Sequence, residues 1–154
     1  MAIIQTEFLF HLVGNLDRVG VIEIGNTPQG SRRIFYVTGG IFEGPKIKGT
    51  VLPGGGDWMV IRPDGVGILD VRVVLRTDDG HDIYSYYRGI LVRSPEVTER
   101  MQRFEPVDPS EYYFRTTPIF ETASEKYSWL NKIVAVGTGL VSNEGVEYDV
   151  YGIL

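Results

Sequence analysis

Nineteen glycines and eight prolines interrupt this chain so often that few stretches are long enough for a helix. The segments between them are rich in Val, Ile, Tyr and Phe, residues that fit a pleated, half-buried surface. Ten candidate strands follow, at residues 7–13, 20–23, 31–39, 46–52, 57–62, 66–77, 81–91, 112–119, 131–140 and 146–153. Only two places invite a helix. Ser94 is a good cap, Pro95 suits the first helical position, and Glu96 and Glu99 favour the positive end of the helix dipole. The other is a short turn around 124–130. Many strands with few helices must close or stack to hide their edges, which favours a barrel over a sandwich.

The 154 residues fit one domain spanning 1–154, without repeats, low-complexity tracts or linkers. The chain is 43% hydrophobic and 23% charged, the balance of a globular protein. A net charge of −5 argues against a general nucleic-acid binder, which needs a basic footprint. The first eight residues lack a basic region and Glu7 interrupts their apolar run, so no signal peptide is expected. No apolar run approaches the roughly 18 residues of a spanning helix. The expectation is therefore a cytoplasmic protein without membrane partners. Zero cysteines exclude disulfides, thiolate metal sites and a cysteine nucleophile. With only His11 and His81, a three-histidine metal site within one chain is impossible. Neither histidine sits near a recognisable nucleophile elbow.

The stretch from Asp57 to Leu91 carries its own register. Arg62-Pro63-Asp64-Gly65-Val66 and Thr77-Asp78-Asp79-Gly80-His81 have the chemistry of three-residue hairpin loops, with glycine at the bulge position. That register sets Asp70 opposite Trp58 and Arg88, Arg72 opposite Tyr86, Val74 opposite Tyr84 and Arg76 opposite Asp82. Alternation puts these on one face and Met59, Ile61, Leu69, Val71, Val73, Leu75, Ile83, Ser85 and Tyr87 on the other. Two arrangements stay open. Either the valine-rich face is the core and the charged face is solvated, or the polar-aromatic face lines a cavity. The first follows the commoner pattern. The second spares Trp58, Tyr84 and Tyr86 an aromatic exterior.

Three carboxylates, Glu43, Asp57 and Asp70, are embedded among apolar, glycine and aromatic residues. Burial raises a carboxyl pKa and suits the group to acid–base work near neutrality. Asp57 equally suits a backbone-capping role, which the sequence favours, and Asp70 suits pairing with Arg72 or Arg88. Gly54-Gly55-Gly56 does not match a phosphate loop and reads as a tight bend where backbone meets backbone. The spacing of Asp78, Asp79 and Asp82 lacks the oxygen-ligand density of a calcium loop. No metal and no cofactor are expected.

The residues Gly30-Ser31-Arg32-Arg33, Thr38-Gly39-Gly40, Phe42-Glu43-Gly44-Pro45 and Pro53-Gly54-Gly55-Gly56-Asp57-Trp58 make the chain specific. So do Leu69-Asp70-Val71-Arg72, Leu75-Arg76-Thr77-Asp78-Asp79-Gly80, Tyr112-Tyr113-Phe114-Arg115, Phe120-Glu121-Thr122 and Tyr127-Ser128-Trp129-Leu130-Asn131. With these the chain resembles the domain of unknown function 3237 family, also called uncharacterised protein family 0311, from about Phe8 to the C-terminus. The resemblance implies a closed, lipocalin-like antiparallel β-barrel of roughly 8–10 strands, able to hold one small ligand, and supplies no settled activity.

The functional expectation is an acid–base enzyme (an isomerase, hydratase, lyase or cyclase) acting on a small apolar or aromatic carbonyl compound. A non-catalytic carrier and a structural module with a filled barrel are the alternatives. The candidate catalytic residues are Asp70, Glu43 and Tyr113. Trp58, Arg72, Tyr86, Arg88, Arg115 and Trp129 are the candidate ligand contacts. If the polar face points inward, Val71, Val73, Leu75 and Ile83 need cover from outside, and a dimer or higher homo-oligomer is expected.

Overall fold

The structure, a computed structural model, describes residues 2–154. Ten antiparallel strands run in the order β1 (Thr6–Leu16), β2 (Ile22–Thr27), β3 (Gly30–Glu43), β4 (Lys48–Val51), β5 (Gly56–Ile61), β6 (Gly67–Thr77), β7 (Asp82–Val92), β8 (Tyr113–Glu121), β9 (Val134–Val141) and β10 (Gly145–Ile153). Each of the ten expected segments overlaps one of them. Pairing proceeds from β1 through β10, β9, β8, β7 and β6 to β4 and β5, then to β3, and β3 returns to β1. The first half of β3 pairs with β2 and β5, its second half with β1 and β4. β1 with β2, and β4 with β5, therefore share positions, and the closed barrel is eight strands around. It is the lipocalin-like closed barrel expected.

Both hairpins adopt the register read from the sequence. Asp70 faces Arg88, Arg72 faces Tyr86, Val74 faces Tyr84 and Arg76 faces Asp82. Across β5 and β6, Asp57 faces Val71 and Val60 faces Ile68. The loop after β6 closes through Thr77 N–H to the His81 carbonyl, 2.9 Å, with Gly80 at φ 88°. Proline and two glycines let the chain bend between β4 and β5 while staying in the wall. A Cβ on Gly55 would lie 2.4 Å from the Arg72 carbonyl oxygen, so this is the close backbone approach expected of the glycine run.

The open question of the two faces resolves toward the valine-rich side. Leu69, Val71, Val73, Leu75 and Ile83 point into the barrel and are almost fully buried. Asp70, Arg72, Tyr86 and Arg88 lie on the outer wall. The condition attached to the oligomer argument is thus not met, because these apolar side chains are covered by the barrel itself.

The interior divides into two halves. At the end bearing the β3–β4 and β6–β7 turns, Phe10, Phe42, Leu75, Ile83, Phe120 and Leu130 fill the lumen. Phe10 meets Phe42 and Phe120 edge-on, with ring centroids 5.5 and 5.9 Å apart. At the opposite end the lumen is hollow. The link from β7 to β8 crosses that mouth and contains α1 (Pro95–Gln102). Ser94 caps α1 as expected, its Oγ accepting from Val97 N–H at 3.1 Å. Arg100 ties the helix to Glu111 in a short 3-10 turn. A second such turn, Ser128–Lys132, meets the other expected helical place. Among the described residues no helix is long and apolar enough to cross a membrane.

Candidate functional site

The hollow half is a cavity of about 330 Å³. Its walls are the inward residues of the strand ends: Phe35 on β3, Met59 and Ile61 on β5, Leu69 on β6, Leu91 on β7 and Phe114 on β8. Met101 and Phe104 close over it from the helix and the residue just beyond. The lining also holds Thr98, Gln102, Glu105, Ser142 and Asn143. Arg18, Arg33 and Arg93 stand toward the rim, and the Asp57 carboxyl sits in the wall.

Asp57 is 8% exposed, in the alternating inward series Asp57, Met59 and Ile61. Its Oδ1 accepts a hydrogen bond from the Asp70 backbone N–H at 3.0 Å. Burial is the main reason its pKa rises to about 7, and the negative charge of Asp70 pushes the same way. The hydrogen bond from the Asp70 amide and the charge of Arg32 oppose the rise. Asp57 also lines a smaller interior space of about 30 Å³ that it shares with Tyr87 and Tyr148. The two tyrosine rings meet edge-on at 5.4 Å, and Tyr148 repeats that contact with Phe114. Burial raises the pKa of both phenols, so they remain hydroxyls at any physiological pH. The Tyr148 hydroxyl is buried without a hydrogen-bond partner among the described residues.

At the rim the arginines differ. Arg18 donates to the Ser142 carbonyl at 2.7 Å, and Arg33 pairs with Glu23 at 3.0 Å. Among the described residues the Arg93 side chain finds only the Met101 sulfur, 3.6 Å away. Burial and the nearby charge of Arg33 both lower its pKa.

The residues singled out from the sequence lie elsewhere. Asp70, Arg72, Tyr86, Arg88 and Trp58 form an outer cluster, with Arg72 stacked between the rings of Trp58 and Tyr86 at 5.9 and 5.0 Å. Arg72 Nη1 is 3.7 Å from Asp70 Oδ1, a loose ion pair. Tyr113 is exposed, and Arg115 stacks on its ring at 4.9 Å outside β8. Glu43 is exposed at the end of β3. Trp129 is half-buried beneath Lys46, at the filled end. None of the nine lines the cavity. The arrangement in which the polar-aromatic face lines a pocket is not the one adopted: with Leu69, Val71, Val73, Leu75 and Ile83 enclosed, strand alternation puts that face of β6 and β7 outside. Instead of capping a turn, Asp57 bonds the Asp70 backbone amide on the neighbouring strand, and it also faces the cavity. Arg33, Arg93, Tyr87 and Tyr148 were not named as candidates. Their signal was a polar residue at an inward position: Arg33 before Phe35 and Val37, Tyr148 between Val146 and Val150.

Fold and site together define a closed antiparallel barrel with one hollow end and a buried carboxyl in its wall. The chain belongs to the family described as protein of unknown function DUF3237, whose model matches residues 4–153. A UPF0311 protein of Rhodopseudomonas palustris is 36% identical over 152 residues, covering 98% of this chain and 97% of that protein. A solved structure of a conserved protein of unknown function from the same species superposes with a TM-score of 0.93 at 34% identity, over the full length of both chains. A β-barrel-like protein from Acinetobacter baumannii gives 0.86 at 41% identity, covering 100% of this chain and 98% of its own. A hydroalkoxylation enzyme of Penicillium herquei is 33% identical over 139 residues, which is 90% of this chain and 76% of that enzyme.

Proposed function

We propose that this barrel is an acid–base enzyme for a small apolar or aromatic compound, with Asp57 as the group that moves the proton. The observation that carries the reading is a nearly buried carboxyl in the wall of a cavity of about 330 Å³, on strand walls that also carry Phe35, Met59, Ile61, Leu69, Leu91 and Phe114. A carboxyl titrating near 7 is present in both protonation states at neutral pH, so it can deliver a proton and take one back. The hydroxyls of Tyr87 and Tyr148 are suited to donate to a ligand oxygen reaching the inner space.

The Penicillium herquei relative supports a cyclase or hydratase version of this chemistry. In a hydroalkoxylation an O–H adds across a carbon–carbon double bond. A C–O bond and a C–H bond form, the π bond and the O–H bond break, and no electrons are exchanged with an outside partner. Such a reaction asks for one group that protonates carbon and for the loss of the hydroxyl proton. A carboxyl cycling between its two states supplies both.

The test is turnover in D2O of a panel of phenols carrying an alkenyl side chain, followed by mass spectrometry. The wild type is expected to place one deuterium on carbon in a cyclised or hydrated product. Asp57→Asn keeps the Oδ1 acceptor for Asp70 N–H, should stay folded, and should lose about 10²–10⁴-fold in rate while still binding. Turnover unchanged in Asp57→Asn overturns the assignment. Binding of the panel without turnover by the wild type makes the barrel a carrier.

A further inference from the structure

Two of the residues lining the cavity are Arg93 and Glu105, and among the described residues Arg93 forms no ion pair, Glu105 being held by Arg103. Arg93 follows directly on β7, and its side chain is half-buried at the rim between Met101 of α1 and the neighbouring charge of Arg33. The guanidinium has five N–H donors, and the one side-chain acceptor it meets among the described residues is a thioether sulfur. The carboxylates close by are already engaged. Glu23 pairs with Arg33, and Glu105 pairs with Arg103 at 2.8 Å. The charges that bear on Asp57 are those of Asp70 and Arg32, and Arg93 is not among them.

We infer that the ligand of this cavity is an organic anion, a carboxylate or phenolate on an apolar or aromatic body, whose charged end is held by Arg93 at the rim. The inference rests on the reading of the hollow end as a ligand site. It adds the ligand's charge and its orientation. A partly desolvated arginine beside a second arginine is destabilised until an anion arrives, and a planar guanidinium matches the two oxygens of a carboxylate. The apolar body then lies along Phe35, Met59, Leu69 and Phe114, toward Asp57. Anchoring at one end fixes which atom meets the carboxyl at the other, the positioning on which proton transfer depends.

The experiment compares 2-naphthoate with 2-naphthamide, two probes of nearly equal shape and different charge, by calorimetric titration. The wild type is expected to prefer the carboxylate by about tenfold or more. Arg93→Gln should bring the two to within about twofold of each other, and Arg93→Lys should keep part of the preference. A thermal melt of each variant confirms that it is folded. Equal binding of both probes by the wild type, or a preference untouched in folded Arg93→Gln, overturns the inference while leaving the acid–base reading standing. If neither probe binds at millimolar concentration, the anion site and the ligand cavity fall together.

Discussion

The Oδ1 atom of Asp57 accepts the backbone N–H of Asp70 at 3.0 Å, so two carboxylates on neighbouring strands are joined through the barrel wall while pointing to opposite sides of it. Asp57 faces the cavity, and Asp70 faces outward toward Arg72. The bond holds the Asp57 carboxyl in place yet satisfies only one of its oxygens. What remains is a fixed acid in an apolar wall, under the added repulsion of the Asp70 charge.

Linkage turns the raised pKa into a stability signature. The folded-state value is about 7 against 3.8 for the free group, so between these limits the folded state keeps a proton that the unfolded chain has released. Stability drawn from Asp57 therefore falls as pH rises from about 4 to 7, by roughly 4 kcal/mol in all. Asp57→Asn lacks this dependence. In urea titrations from pH 4 to 8 the variant should gain steadily on the wild type, and parallel curves would contradict the raised value.

Among the described residues the buried Tyr148 hydroxyl has no hydrogen-bond partner, and an unpaired buried hydroxyl costs about 1–3 kcal/mol. Tyr148→Phe keeps the ring contacts with Tyr87 and Phe114. Its unfolding free energy should equal or exceed that of the wild type. A loss of more than about 1 kcal/mol would show that the hydroxyl has a partner in the folded protein.

Arg72 is a wall residue on the outside, sandwiched by Trp58 and Tyr86. Arg72→Ala should cost about 0.5–1 kcal/mol, the worth of exposed cation–π contacts, and leave ligand affinity unchanged. A tenfold loss of affinity in the folded variant would return the outer cluster to the binding site.

Gly55 lies where the chain between β4 and β5 presses on β6. A methyl group there meets the Arg72 carbonyl oxygen at 2.4 Å and the Val73 Cα at 3.1 Å, backbone atoms that have little room to yield. Gly55→Ala should cost about 1–3 kcal/mol in unfolding free energy. A neutral result would mean the bend is looser than this contact requires.

Much of this fold was legible because its signals are local. The Gly65 and Gly80 turns fix pairing across β5, β6 and β7 within a few residues of themselves, and Ser94-Pro95 announces α1 the same way. The orientation of the wall is a different matter. Both faces of β6 and β7 carry large side chains, and Trp58, Tyr84 and Tyr86 make the outer one unusually aromatic. Only closure of β3 onto β1, a contact between distant parts of the chain, decides which face is enclosed. The site followed that choice. Once Met59 and Ile61 are inside, alternation brings Asp57 with them. Arg93 was harder to find, because its isolation depends on where Glu23 and Glu105 point.

The most direct measurement is the titration of the Asp57 carboxyl carbon by NMR, assigned by comparison with Asp57→Asn, in the protein without ligand. The account predicts a midpoint at about 7. A midpoint near 4 would mean that water reaches Asp57 freely, and the buried acid on which the proposed chemistry depends would not exist.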